Sequence, residues 1–117
     1  MTIPGAGERI RLALAALPAV SVWPHRFGGL EYRLGRREIG HVHGDSLVDI
    51  PFPRQVRDDV LSARLAQAHH VLPQSGWVSK FLETEQDVAQ AISLLQRSYE
   101  LAKEQQRRRE PGGEAAG

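Results

Sequence analysis

The stretch HVHGDSLVDIPF, residues 41–52, decides how the chain folds, because its two halves pair as a hairpin in only one register that keeps the apolar side chains together. Side chains alternate between the faces of a strand, so His41 and His43 share a side with Ile39, and Gly40 and Val42 take the other. In the second arm Val48, Ile50 and Phe52 lie on one face, and Leu47, Asp49 and Pro51 on the opposite one. A two-residue loop would set Val42 against Leu47. A three-residue loop of Gly44, Asp45 and Ser46 sets Val42 against Val48 and gathers the apolar set on one side, which is the pairing we expect. It puts His41 opposite Asp49, Cβ atoms about 5 Å apart, with His43 beside them on the face away from the core.

The sequence before the hairpin reads as the rest of a meander. Runs at Leu30–Leu34, Arg37–His43 and Leu47–Phe52 are expected strands, punctuated by Gly35 and by the Gly44 turn. VSVWPHRF, interrupted by Pro24, suits an edge strand. Ahead of it, Ile10, Leu12, Leu14 and Leu17 form a helical stripe over Glu8 to Leu17, stopped by Pro18. After the hairpin, Pro53 opens a helix with Val56, Val60, Leu61 and Leu65 on one side and Arg54, Arg57, Asp58 and Arg64 on the rest. HHVLPQSGWVSKFL supplies a short strand, a turn and a further strand. Thr84 and Asp87 resemble a capping box, and Val88, Ala91, Ile92, Leu95, Ser98, Tyr99 and Ala102 repeat with a helical period. Glu104 onward loses its apolar residues and reads as a frayed, disordered tail. The order defines one α+β domain over 8–103, a small antiparallel sheet with helices on one face, between tails at 1–7 and 104–117.

The 117 residues carry 15 basic and 14 acidic side chains, a net charge of +1, so no strong field draws the chain to nucleic acid. Without cysteine there is no disulfide, thiolate metal site or thiol nucleophile. No run approaches the length of a membrane span, so a soluble cytoplasmic protein, monomeric or weakly dimeric, is expected. FGGLEYRLG lacks the helix a phosphate loop requires, and there is no nucleophile elbow or zincin motif.

The cluster of His41, His43 and Asp49 has three readings that share one geometry: an oriented imidazole base, a divalent metal site, or a solvated polar sheet face. His69 and His70 are adjacent, so in a strand only one of them joins it. Arg26 and Trp77 are further candidates to contact a ligand. A competing reading is a non-catalytic module that binds protein or nucleic acid through Arg54, Arg57, Arg64 and the basic run Arg107–Arg109.

The stretches WPHRFGG, REIGHVHGD, DIPF, HHVLPQSGWVS and LLQRSYELA, in this order, resemble the small bacterial luciferase-domain proteins, over about residues 8–103. That domain is named for its similarity to the luciferases of luminous fungi, which oxidise a hydroxylated pyrone with O2 and are not known to need a metal or organic cofactor. The resemblance implies a pocket for an enolic or aromatic molecule and a cofactor-independent oxygenase. His41, His43, Asp45 and Ser46 match the first part of the fungal pattern, Asp58 its helix acid, and His69 or His70 its late histidine. Asp49 stands where that pattern has a third histidine, and the fungal proteins carry an N-terminal membrane-associated part, two departures from the light-emitting members. Residues and resemblance together nominate His41, His43, Asp49 and His70 as catalytic, with Arg26, Asp45, Ser46, Asp58, His69 and Trp77 around the ligand. A more distant similarity, carried by SYELA at 98–102, is to the YjbR-like fold.

Overall fold

A computed structural model of the chain describes residues 2–109. In chain order the elements are α1 (Ala6–Ala15), β1 (Val20–Pro24), β2 (Leu30–Leu34), β3 (Arg37–His43), β4 (Leu47–Pro51), α2 (Arg54–Ser62), β5 (Gln67–Ala68), β6 (Trp77–Phe81) and α3 (Glu85–Arg109). The six strands form one antiparallel sheet in the order β1-β2-β3-β4-β6-β5. The hairpin has the expected three-residue loop: His41 pairs with Asp49, Val42 with Val48 and His43 with Leu47.

One face of the sheet is the core. Ile39, Val42, Val48, Ile50 and Val78 are buried together with Val88, Ala91, Leu95 and Tyr99 of α3 and with Ile10 and Leu14 of α1. In α1 the burial falls on Ala6, Ile10 and Leu14, at fourfold spacing, so Leu12 is exposed and not part of the expected stripe. The helix begins at Ala6, two residues earlier than the sequence suggests, because Asp45 in the hairpin turn accepts the backbone N–H groups of Gly5 and Gly7. A side chain at Gly7 would bring a Cβ within 2.6 Å of the Gly44 carbonyl, so that docking requires glycine. α3 starts with the expected box: Thr84 Oγ1 accepts from Asp87 N, and Asp87 Oδ2 accepts from Thr84 N. It runs past the expected end near Lys103 to Arg109, where Glu104 pairs with Arg107 and Arg108 and Gln105 binds Arg37. The remainder of the expected tail, 110–117, lies outside the described residues.

One irregularity shapes the other face. β2 and β3 slip register between Tyr32 and Arg33: Tyr32 pairs with Gly40 but Arg33 with Glu38, so Ile39 is an extra residue in β3, a β-bulge. Ile39 therefore joins the core and does not share the side of His41, as strict alternation requires. Its carbonyl accepts the Ser98 hydroxyl at 2.8 Å, which satisfies a group the bulge takes out of the ladder. Leu95 packs directly on Gly40, where a Cβ would come within 2.6 Å of Leu95 Cδ2 and 3.0 Å of the Asp49 carbonyl. Tyr99 donates its hydroxyl to the carbonyl of Pro18, tying α3 to the turn after α1.

Candidate functional site

Across the open face the register lines up a row of polar residues, one per strand: Glu31 of β2 beside His41 of β3, then Asp49 of β4 and Ser79 of β6. All four are buried. Charged groups are buried in this way only when they are paired, and here the pairing is explicit. Ser79 donates to Asp49 Oδ1 at 2.6 Å, and His41 Nε2 lies 3.1 Å from Asp49 Oδ2. The second nitrogen of His41, Nδ1, is 2.8 Å from Glu38 Oε2. Residues 38 and 41 would face opposite ways in a regular strand, so the bulge at Ile39 is what brings Glu38 to His41.

Held between two carboxylates, His41 is a protonated imidazolium. Burial opposes its charge, but the hydrogen bonds with Asp49 and Glu38 outweigh burial and push its pKa up to about 9. Burial likewise opposes the Asp49 carboxylate, yet His41 and Ser79 hold it well below the usual carboxylate range. His43, whose Nε2 is 3.4 Å from Asp49 Oδ2, is kept neutral, first by burial and then by the nearby His41 cation.

Both members of the second histidine pair join this group, contrary to the expectation of one. The strand β5 stops at Ala68, so His69 and His70 belong to the following loop and escape strand alternation. Their rings stack at 4.4 Å, and their Nε2 atoms lie 3.7 and 3.4 Å from Asp49 Oδ2. His69 Nδ1 accepts the backbone N–H groups of Val71 and Leu72, so its ring hydrogen sits on Nε2. Burial lowers its pKa, in keeping with that neutral tautomer. Arg54 and Arg57 of α2 donate to the carbonyls of Gln74 and Pro73, fixing the loop from the other side. Two arginines of the basic helix face are thus engaged within the chain.

The fifth histidine, His25, comes from the turn after β1 and was not a candidate from the sequence. Its ring stacks on His41 with centroids 4.0 Å apart, and its Nδ1 contacts Glu31 Oε1 at 3.0 Å. Burial opposes the charge of Glu31, while hydrogen bonds with His25 and Arg33 keep its pKa low. A signal was present: the chain has only five histidines, and every one falls in a quoted motif. All five line a single cleft of about 410 Å³, floored by Asp49 and flanked by Arg26 and Trp77. Trp77 lies 5.1 Å from the His41 ring. The rim is apolar and exposed at Phe27, Val71 and Leu72; Phe27 is 98% exposed and adopts a left-handed backbone (φ 58°).

Three nominated residues lie elsewhere. Asp45 is the tether of α1, Ser46 donates to the His43 carbonyl, and Asp58 is on the surface of α2 beside Arg57. Hairpin turns place their tip residues beyond the sheet, so proximity in sequence to His43 did not carry Asp45 or Ser46 into the cleft.

The fold and this cleft define an α+β protein with a histidine-rich site on the open side of its sheet. The chain belongs to the Luciferase domain family, whose model matches residues 36–98. That span includes His41, His43, Asp49, both loop histidines and Trp77, whereas His25 precedes it. No curated protein and no solved structure matches the chain. Among the described residues, no helix is long and apolar enough to cross a membrane.

Proposed function

We propose that the cleft binds a small enolic or aromatic molecule and removes a proton from it. The observation that carries this reading is the convergence of all five histidines on one cleft with a charged floor and an apolar rim. Its volume is within the range of small-molecule sites, and mostly apolar walls with a few convergent polar groups are their usual chemistry. Trp77 and the rim residues offer surface to a flat ring, while the His41 cation and Arg26 stabilise negative charge on a ligand oxygen. His25 is the base: Glu31 holds Nδ1 and so leaves Nε2 as the proton acceptor. Asp49, His43 and His70 position the His41 cation and complete the polar wall.

The family membership supports an oxygenase version. The carbanion's electron pair forms a carbon–oxygen bond with O2, which is reduced to the peroxide level, and the terminal oxygen then takes the proton from His25. The ligand supplies both electrons.

A hydroxylated 2-pyrone is the probe. At ten times its dissociation constant it stabilises the fold by about 1.4 kcal/mol, a rise of several degrees in Tm. His41→Ala and His43→Ala fold but lose that rise, and His25→Ala keeps binding while O2 uptake stops. A wild-type Tm indifferent to the hydroxypyrone at millimolar concentration dismisses the reading.

A further inference from the structure

The crowding around Asp49 Oδ2 is the feature that the small-molecule reading leaves unexplained. The Nε2 atoms of His41, His43 and His70 lie 3.1, 3.4 and 3.4 Å from that oxygen, with a fourth, from His69, at 3.7 Å. Two of these contacts, from His41 and His70, have hydrogen-bond geometry and occupy the oxygen's two lone pairs, and Oδ1 already holds Ser79. The Nε2 atoms of His43 and His69 therefore face the same carboxylate with no lone pair of Oδ2 left to them. The three distances that meet at Asp49 Oδ2, from His41, His43 and His70, match the edges between ligands of a common ion. With metal–ligand bonds of about 2.0–2.1 Å, the atoms at the corners of a tetrahedron are roughly 3.3–3.4 Å apart.

We propose that Asp49, His41, His43 and His70 bind one divalent first-row transition-metal ion. Three further observations fit. Glu38 holds Nδ1 of His41, the outer carboxylate that metal-bound histidines characteristically have, and leaves Nε2 to the ion. The ion takes the place of the Nε2 proton carried by the metal-free imidazolium, which is released to solvent. His69 is not a ligand: its Nδ1 accepts two backbone N–H groups, so its Nε2 keeps a hydrogen and has no lone pair for an ion. The donors are imidazole nitrogen and carboxylate oxygen with no thiolate in the chain, a set that suits zinc, cobalt(II) or iron(II) better than calcium or copper(I). His70, 44% exposed at its side chain, gives the ion a way in from the cleft. The site goes beyond the small-molecule reading and does not rest on it; it departs from the cofactor-free activity that the resemblance implies.

The test uses tag-free full-length protein dialysed against a chelator and titrated with zinc by calorimetry and with cobalt(II) by absorbance, no organic ligand present. The expected result is one ion per chain at micromolar affinity or tighter, with the intense visible bands of four-coordinate cobalt. His43→Ala and His70→Ala each weaken zinc binding at least tenfold, and Glu38→Gln weakens it about tenfold at unchanged stoichiometry. Asp58→Ala, away from the cleft, leaves it unchanged. Should Asp49→Asn fail to fold, the two histidine variants decide the matter, because neither removes the buried carboxylate. No binding below millimolar metal by folded protein, or equal binding by wild type and both histidine variants, overturns the site. Hydroxypyrone binding to the chelator-treated protein is read separately, so either idea can fail alone.

Discussion

The same three strands, β3, β4 and β6, build two unlike surfaces. On one side Val42, Val48, Ile50 and Val78 meet α3 in an apolar core; on the other His41, Asp49 and Ser79 form a buried row of paired charge. Both faces exclude water, but by different means. The core gains by transfer of apolar area and is indifferent to pH, whereas the polar face holds together only while each partner is present and correctly protonated. Substituting one residue on each side separates the two.

The largest effects are expected from Asp49 and Ile50. Asp49→Ala leaves the His41 cation buried with one carboxylate fewer and costs about 3–5 kcal/mol. Ile50→Ala opens a cavity on the other face of the same strand and costs about 2–5 kcal/mol. Urea denaturation measures both, and the faces are told apart by repeating it across pH. The Ile50→Ala deficit stays constant, and the Asp49→Ala deficit does not.

Next comes the pH dependence of the metal-free wild type. His41 holds its proton more tightly folded, up to about pH 9, than unfolded, so its stabilisation is complete below about pH 6.5 and is lost as the pH rises through 9. The shift amounts to on the order of 3 kcal/mol. The depressed Asp49 contributes above about pH 4 and loses its contribution as the pH falls through its folded pKa. His43 and His69, whose pKa values are lowered, destabilise the fold as the pH falls below about 6.5. Stability attributable to the open face therefore peaks near neutrality. Denaturation at pH 6.5 and 9 shows the decline, and His41→Asn abolishes most of it.

Ser79→Ala removes one short hydrogen bond to a buried carboxylate and costs about 1.5–3 kcal/mol. Asp45→Ala loosens α1 from the hairpin tip for about 1 kcal/mol without touching the cleft. The smallest stability effect is at Phe27: Phe27→Gly relieves a left-handed backbone and buries nothing less, so the Tm holds or rises slightly while hydroxypyrone affinity falls.

How much of this could be read from the sequence follows from which rule governs each residue. Alternation and loop length sufficed for the hairpin, and so for His41 opposite Asp49, because one register alone unites Val42, Val48 and Ile50. Alternation failed at Ile39, where the bulge adds a residue and turns Glu38 toward His41; Gly40, a glycine inside a strand, was the local mark of that irregularity. It failed again at His69 and His70, which lie just beyond β5 and take their positions from Arg54, Arg57 and backbone N–H groups. His25 reaches the site from a turn, and turns have no period from which a direction can be inferred. Likewise α3 extends through Gln105 because Arg37 of β3 meets it there, a long-range contact that local composition does not contain.

The most direct test of the account is the protonation state of the five histidine rings, read by nitrogen-15 NMR of metal-free protein through a pH titration. The account predicts a His41 ring protonated on both nitrogens at pH 8 and titrating near 9, with His69 carrying its hydrogen on Nε2. In Asp49→Asn the His41 value falls toward that of a free imidazole. Five rings that all titrate near 6.5, unaltered by Asp49→Asn, would contradict it.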